Sequence, residues 1–171
     1  DWAQIRPFNG NVVINSSTRI SSAFSQAAGN GPTARWVGAG TFTDDQYSSL
    51  KITSLAFLDT NYGIGVICRA SADVDAGRDY YYAYVCADGS GTYTTKLGKV
   101  VNGTTTELHS AGVSWAANDL LELEVEGTTL RVCKNGTPLG GSFTQTDSSL
   151  STGKPGVTVA GGGTTIYGGD W

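Results

Sequence analysis

The sequence predicts an all-β fold, two antiparallel sheets packed as a sandwich. Three observations predict it. Apolar and polar residues alternate along much of the chain, and no helical period extends over ten residues or more. Turn signals recur roughly every ten residues, the spacing of short strands in a sandwich. The composition, with 24 glycines and only 15% charged residues, suits strands joined by tight turns.

The elements follow in order. Asp44-Asp45 reads as a loop ahead of a strand in QYSSLKI. GIGVICRA (63–70) and YYYAYVCA (80–87) are apolar runs rich in β-branched or aromatic residues, the mark of well-covered strands. Asp73–Gly77, Asp88–Gly91 and Thr152–Gly156 read as loops. Asn102-Gly103 and Asn135-Gly136 predict two-residue hairpins, because both central positions of the favoured turn need positive φ. The first of these hairpins sets His109 across from Lys96, as a surface residue.

Gly127-Thr128 closes a third hairpin and fixes a register. Val125 then faces Leu130 and Leu123 faces Val132, an apolar side that needs the core. Glu122, Glu124 and Glu126 take the other side, with Glu124 opposite Arg131 and Glu122 opposite Cys133. Two readings stand for the glutamates: a solvated strand face, or the paired carboxylates of a glycosidase, as on the strands of some sandwich glucanases. The tight turn and the arginine facing Glu124 speak for the first.

At 171 residues the chain, 1–171, suits one domain with a sizeable core. A net charge of −4 gives no basic footprint for nucleic acid, and no apolar run approaches the ~20 residues of a membrane span. The chain begins at Asp1 and lacks Met, which reads as a mature fragment or an excised domain. Three cysteines, Cys68, Cys86 and Cys133, leave at least one free or joined to another chain. Alternation sets Cys68 and Cys86 on opposite faces, against a bond between them. One histidine and no CxxC pair argue against zinc, haem and iron–sulfur sites. Sequons stand at Asn15, Asn102 and Asn135, the latter two explained by turn chemistry.

The candidate ligand surface is DYYYAYVCA. With Tyr81, Ala83 and Val85 inward, Tyr80, Tyr82 and Tyr84 line the opposite face. Such rings either offer sugars an apolar plate or simply cover a sheet. Arg69 shares that face if Val66 and Cys68 are buried, and Glu124 and Arg131 join it if they lie on the same sheet. Trp36 and Trp115 read as core or rim.

RWVGAGTFTDDQYSSLKI, GIGVICRAS, KLGKVVNGTTTEL, NDLLELEVEGTTLRVCKNGT and TDSSLSTGKPGVTV, in this order, resemble segments of laminin-G-like and concanavalin-A-like jelly-roll domains of bacterial and phage surface and secreted proteins. The resemblance covers most of residues 35–160 and is loose over the first 34. It implies a two-sheet antiparallel jelly roll whose first and last strands lie side by side, pairing Asp1-Trp2 with Asp170-Trp171. It also implies a structural calcium, for which Asp1, Asp170, Asp44 and Asp45 are the acidic candidates.

Together these readings point to a non-catalytic, lectin-like domain that binds a glycan or polysaccharide, extracellular or at a cell or virion surface. The alternative is a structural or adhesion domain that self-associates in an extracellular assembly such as a phage fibre, a capsid decoration or a surface filament. A third is a small glycoside hydrolase using Glu122 and Glu126. Fold alone does not choose among them.

Overall fold

The computed structural model describes residues 2–6, 12–15, 19–22, 33–37, 42–56, 58, 63–72, 77–87, 92–160 and 168–169. Among them the chain forms β1 (Trp2–Arg6), β2 (Val12–Asn15), β3 (Arg19–Ser22), β4 (Thr33–Trp36) and β5 (Gln46–Ile52). Then come β6 (Gly63–Ala70), β7 (Tyr80–Ala87), β8 (Tyr93–Val101), β9 (Thr104–Gly112), β10 (Asp119–Glu126) and β11 (Thr129–Lys134). The last are β12 (Thr137–Pro138), β13 (Thr144–Thr146), β14 (Lys154–Ala160) and β15 (Gly168–Gly169). They build two antiparallel sheets. One runs β1-β4-β14-β6-β7-β8-β9; the other runs β12-β11-β10-β5-β15-β3-β2, with β13 also pairing β11.

The core lies between the sheets, where alternation puts it. Ile64, Val66, Tyr81, Ala83, Val85, Leu97 and Val157 of the first sheet meet Leu50, Ile52, Leu121, Leu123, Val125, Leu130 and Val132 of the second. The β10–β11 register is the predicted one, with Glu122 opposite Cys133, Glu124 opposite Arg131 and Val125 opposite Leu130. All eight residues of β6 are buried. Asn102 and Gly103 have φ of 49° and 73°, Asn135 and Gly136 of 52° and 76°, so both Asn-Gly pairs make the positive-φ turns expected of them. The Asn135 amide is also engaged, accepting from the Leu120 N–H at 2.7 Å and donating to Asp119 at 2.8 Å.

Three expectations are corrected. A bulge shifts the β8–β9 register between Leu97 and Gly98, so His109 opposes Leu97 and Ser110 opposes Lys96. One extra residue turns a side chain to the other face. His109 is therefore half-buried, edge-on to Phe143 at 4.6 Å. Lys154 already belongs to β14, so the loop predicted over 152–156 is shorter. The first and last strands are not neighbours: β1 pairs β4 in one sheet, while β15 pairs β3 and β5 in the other. Strand periodicity says which face a residue takes, not which strand lies beside it. The cysteines agree with the sequence reading: Cys68, Cys86 and Cys133 are buried and form no disulfide, with Cys68 in the core and Cys86 facing Gly63 on the outer side.

Candidate functional site

The outer face of the first sheet carries the predicted tyrosines. Tyr82 pairs with Ile67 on one side and Gly98 on the other; Tyr84 pairs with Gly65 and Lys96. Both lie down on glycine. A Cβ built on Gly98 would sit 2.3 Å from the Tyr82 hydroxyl, and one on Gly63 would sit 2.4 Å from the Tyr84 ring. Burial pushes the Tyr82 hydroxyl up to about 12, and the Glu107 carboxylate adds to it. Tyr80 is only 5% exposed and packs with Ile67, Ala70, Val100 and Tyr82, so it covers the sheet and offers no plate. Tyr82 and Tyr84 stay half-buried.

Arg69 does not share that face, although Val66 and Cys68 are buried as required. Its φ is +51°, and the neighbouring β14 slips register between Lys154 and Gly156. Alternation fails at such an irregularity. The side chain is 2% exposed. Its Nε donates to the Asp44 carbonyl and its Nη1 to the Leu150 carbonyl, both at 2.8 Å. The Arg69 N–H donates to Gln46 Oε1 at 3.0 Å, and Gln46 Nε2 donates to the Thr43 and Gly153 carbonyls at 3.0 and 2.7 Å. Arg69 and Gln46 together tie the 43–45 segment to the 150–153 segment.

Glu124 and Arg131 lie on the other sheet, on its outer face, bonded to each other at 2.9 Å. They do not meet the tyrosines. The Glu122 carboxylate accepts the Gly136 N–H at 2.6 Å. Glu122 and Glu126 are four residues apart on one strand, about 13 Å at Cα. A retaining pair holds its carboxyls about 5–5.5 Å apart and an inverting pair about 6.5–9.5 Å, closer than these Cα atoms stand, and the Glu122 carboxylate is already turned to the Gly136 N–H. Of the calcium candidates, Asp1 and Asp170 lie outside the described residues. Asp45 Oδ1 accepts the Gly127 N–H at 2.7 Å and stands 4.0 Å from the Arg69 guanidinium. No group of three or more His, Cys, Asp or Glu converges among the described residues.

A cavity with converging polar groups among the described residues lies elsewhere, at one end of the first sheet. A cleft of about 530 Å³ is lined by Arg35 of β4, the end of β6 and its continuation through Ala72, Asp79 just before β7, and residues 149–154 leading into β14. Its walls are held from behind. Ser71 N–H donates to the Asp79 carbonyl at 2.9 Å, and Asp79 N–H donates to Ser71 Oγ at 3.0 Å. Asp79 Oδ1 accepts the Asn102 N–H at 2.6 Å. The core residue Tyr81 accepts the Leu150 N–H at 3.0 Å and donates to Asp147 Oδ1 at 2.8 Å. Lys99 reaches both Asp147 and the Ser149 hydroxyl. Burial raises the Asp147 carboxyl, but Lys99, Ser149 and Tyr81 outweigh it and hold the group down at about 2.

Two basic side chains open into this cleft. Arg35 Nε is buried without a hydrogen-bond partner among the described residues. Lys154 Nζ lies 5.9 Å from the ring of Phe42, which is 41% exposed. An apolar ring thus flanks a lining cation at the cleft. Sequence reasoning missed Arg35, Ser71, Asp79 and Lys154. They are contributed by four separated segments, and the only local signals, the Arg-Ala-Ser strand end and the Ser-Thr-Gly-Lys-Pro-Gly turn, read as fold markers.

No protein-family profile matches the chain, and no curated protein matches it in sequence. Solved structures do match. The carbohydrate-binding module CBM66 from Bacillus subtilis superposes with a TM-score of 0.67 at 18% identity, over 97% of this chain and 91% of its own. Sheep galectin-11 gives a TM-score of 0.47 at 13% identity, over 78% of this chain and 96% of its own. The Caenorhabditis elegans galectin LEC-6 gives 0.48 at 13% identity, over 92% and 98%. The first likeness establishes the fold, which is a jelly-roll β-sandwich, and upholds the sequence resemblance at that level.

Proposed function

We propose that this chain is a non-catalytic, lectin-like domain that binds a glycan through the cleft at the end of its first sheet, in an extracellular or surface setting. The cleft is the observation that carries the reading. Its volume of about 530 Å³ suits one or two sugar rings, within the ~300–1,000 Å³ of ligand pockets. Serine and threonine hydroxyls, one carboxylate and two cations serve a sugar's hydroxyls. The lining holds a single acidic residue, Asp79, and no histidine or cysteine, which favours binding over hydrolysis. The likeness to a structure titled a carbohydrate-binding module supports the same reading.

The test is a glycan array run with calcium and with a chelator, followed by titration calorimetry on the best ligand. The calcium arm examines Asp1, Asp170, Asp44 and Asp45 as proposed ligands of an ion. Ser151→Ala and Thr152→Val should weaken binding, whereas Tyr82→Ala and Glu124→Ala should leave it intact. Loss of binding in Tyr82→Ala alone would move the site to the tyrosine face. A blank array in both conditions would overturn the proposal and favour the assembly role.

A further inference from the structure

We infer that the glycan held in the cleft is acidic, bearing a carboxylate or sulfate that Arg35 and Lys154 engage. This rests on the proposed sugar-binding role of the cleft and names its ligand class. The lining contains three cations, Arg35, Arg69 and Lys154, against one anion, Asp79, in a chain whose net charge is −4. The charges are unequal in availability. Arg69 is committed to the Asp44 and Leu150 carbonyls and faces Asp45. Asp79 already receives the Asn102 N–H.

Arg35 and Lys154 face no carboxylate among the described residues; Lys154 Nζ has the Phe42 ring 5.9 Å away. The register partners of Arg35 are Ala3 on β1 and Gly156 on β14, and the partner of Lys154 is Ala70 on β6. None of these carries a carboxylate. Among the described residues neither cation has an ion pair, and the buried Nε of Arg35 has no acceptor. That Nε is shielded from solvent and so from a ligand; what the lining offers an anion is the rest of the Arg35 guanidinium and the Lys154 ammonium. A neutral sugar offers hydroxyls that need donors and acceptors in balance; this lining is weighted toward charged donors. A ligand carboxylate or sulfate accepts charge-assisted hydrogen bonds from both cations and balances their charge. The hydroxyls of Ser71, Ser151 and Thr152 remain for the rest of the sugar ring.

The experiment is titration calorimetry of the whole chain with three probes: galacturonic acid oligomers, sulfated galactan oligomers and neutral cello-oligosaccharides. Inorganic sulfate serves as a competitor. At least one acidic probe should bind, and raising NaCl to about 0.5 M should weaken it several-fold. Arg35→Gln and Lys154→Gln should each raise Kd about tenfold or more while the thermal midpoint stays put. Neutral oligomers bound as tightly as acidic ones, or unaltered affinity in both variants, would overturn the inference and leave the glycan-binding role standing. Sulfate ions displacing the oligomer at equal concentration would overturn it too, reducing the site to an anion hole. Failure of every oligosaccharide, acidic and neutral, would sink the binding role itself.

Discussion

Arg69 is the brace of the cleft, and its removal should be felt in stability first. Arg69→Ala deletes two charge-assisted hydrogen bonds, to the Asp44 and Leu150 carbonyls at 2.8 Å each. Bonds to charged groups contribute roughly 1.5–3 kcal/mol apiece. Set against them is the desolvation that a buried guanidinium no longer suffers, leaving a net loss of about 2–4 kcal/mol. That is a large part of the ~5–15 kcal/mol a domain possesses. The backbone adds a second, separable effect. Arg69 sits at φ +51°, which costs an L-residue roughly 1–2 kcal/mol and costs glycine almost nothing. Arg69→Gly should therefore lose the brace yet remain about 1 kcal/mol more stable than Arg69→Ala. Equilibrium urea unfolding of the three proteins measures both effects, provided the m-values agree. An alanine variant within about 1 kcal/mol of the parent would refute the bracing argument. A glycine variant less stable than the alanine one would refute the strain argument.

Other outcomes follow from the same contacts. The Asp147 carboxyl, held at about 2 against about 3.9 when unfolded, contributes stability that is present above pH ~4 and lost as pH falls toward 2. In Asp147→Asn that acid-dependent loss should shrink by about 1–2 kcal/mol, read from thermal midpoints across this pH window. Gly98→Ala places a Cβ 2.3 Å from the Tyr82 hydroxyl and 2.6 Å from the Thr106 carbonyl oxygen. The ring can swing away and the carbonyl cannot, so the variant should lose about 1–3 kcal/mol in urea. Cys68, Cys86 and Cys133 are buried, and burial pushes the Cys68 thiol up and the Cys133 thiol up to about 11. All three should resist a thiol reagent in the native protein and react together in urea.

What the sequence made legible was local. The Asn-Gly turns, the Leu123–Val132 register and the inward set Tyr81, Ala83 and Val85 depend on backbone geometry over a few residues, and the structure has them all. The misplaced residues are those where period two breaks. The extra residue in β9 sent His109 to the inner side, and the positive φ of Arg69 took it off the tyrosine face. Neither leaves a mark in composition. Glu124 and Arg131 were rightly paired with each other, yet which sheet they joined depended on β10 pairing with β5 rather than with β7. The cleft was the least legible of all. Arg35, Asp79 and Lys154 come together only because β4, β14, β6 and β7 are neighbours in one sheet.

The bulge in β9 also matters for how the molecule keeps to itself. β9 ends its sheet, and no other described strand continues beyond it. An open edge of nine residues is a template on which a second copy could add a strand. The misfit near Leu108 breaks the even spacing of hydrogen-bonding groups along that edge. Lys96 and Glu107, paired at 3.2 Å, add fixed charges beside the break, and Thr104, Thr105, Thr106 and Glu107 are all exposed. An approaching strand would meet an interrupted ladder and charges with no apolar compensation. The same irregularity that rotates His109 toward the core thus guards the sheet margin against cross-β growth at high concentration.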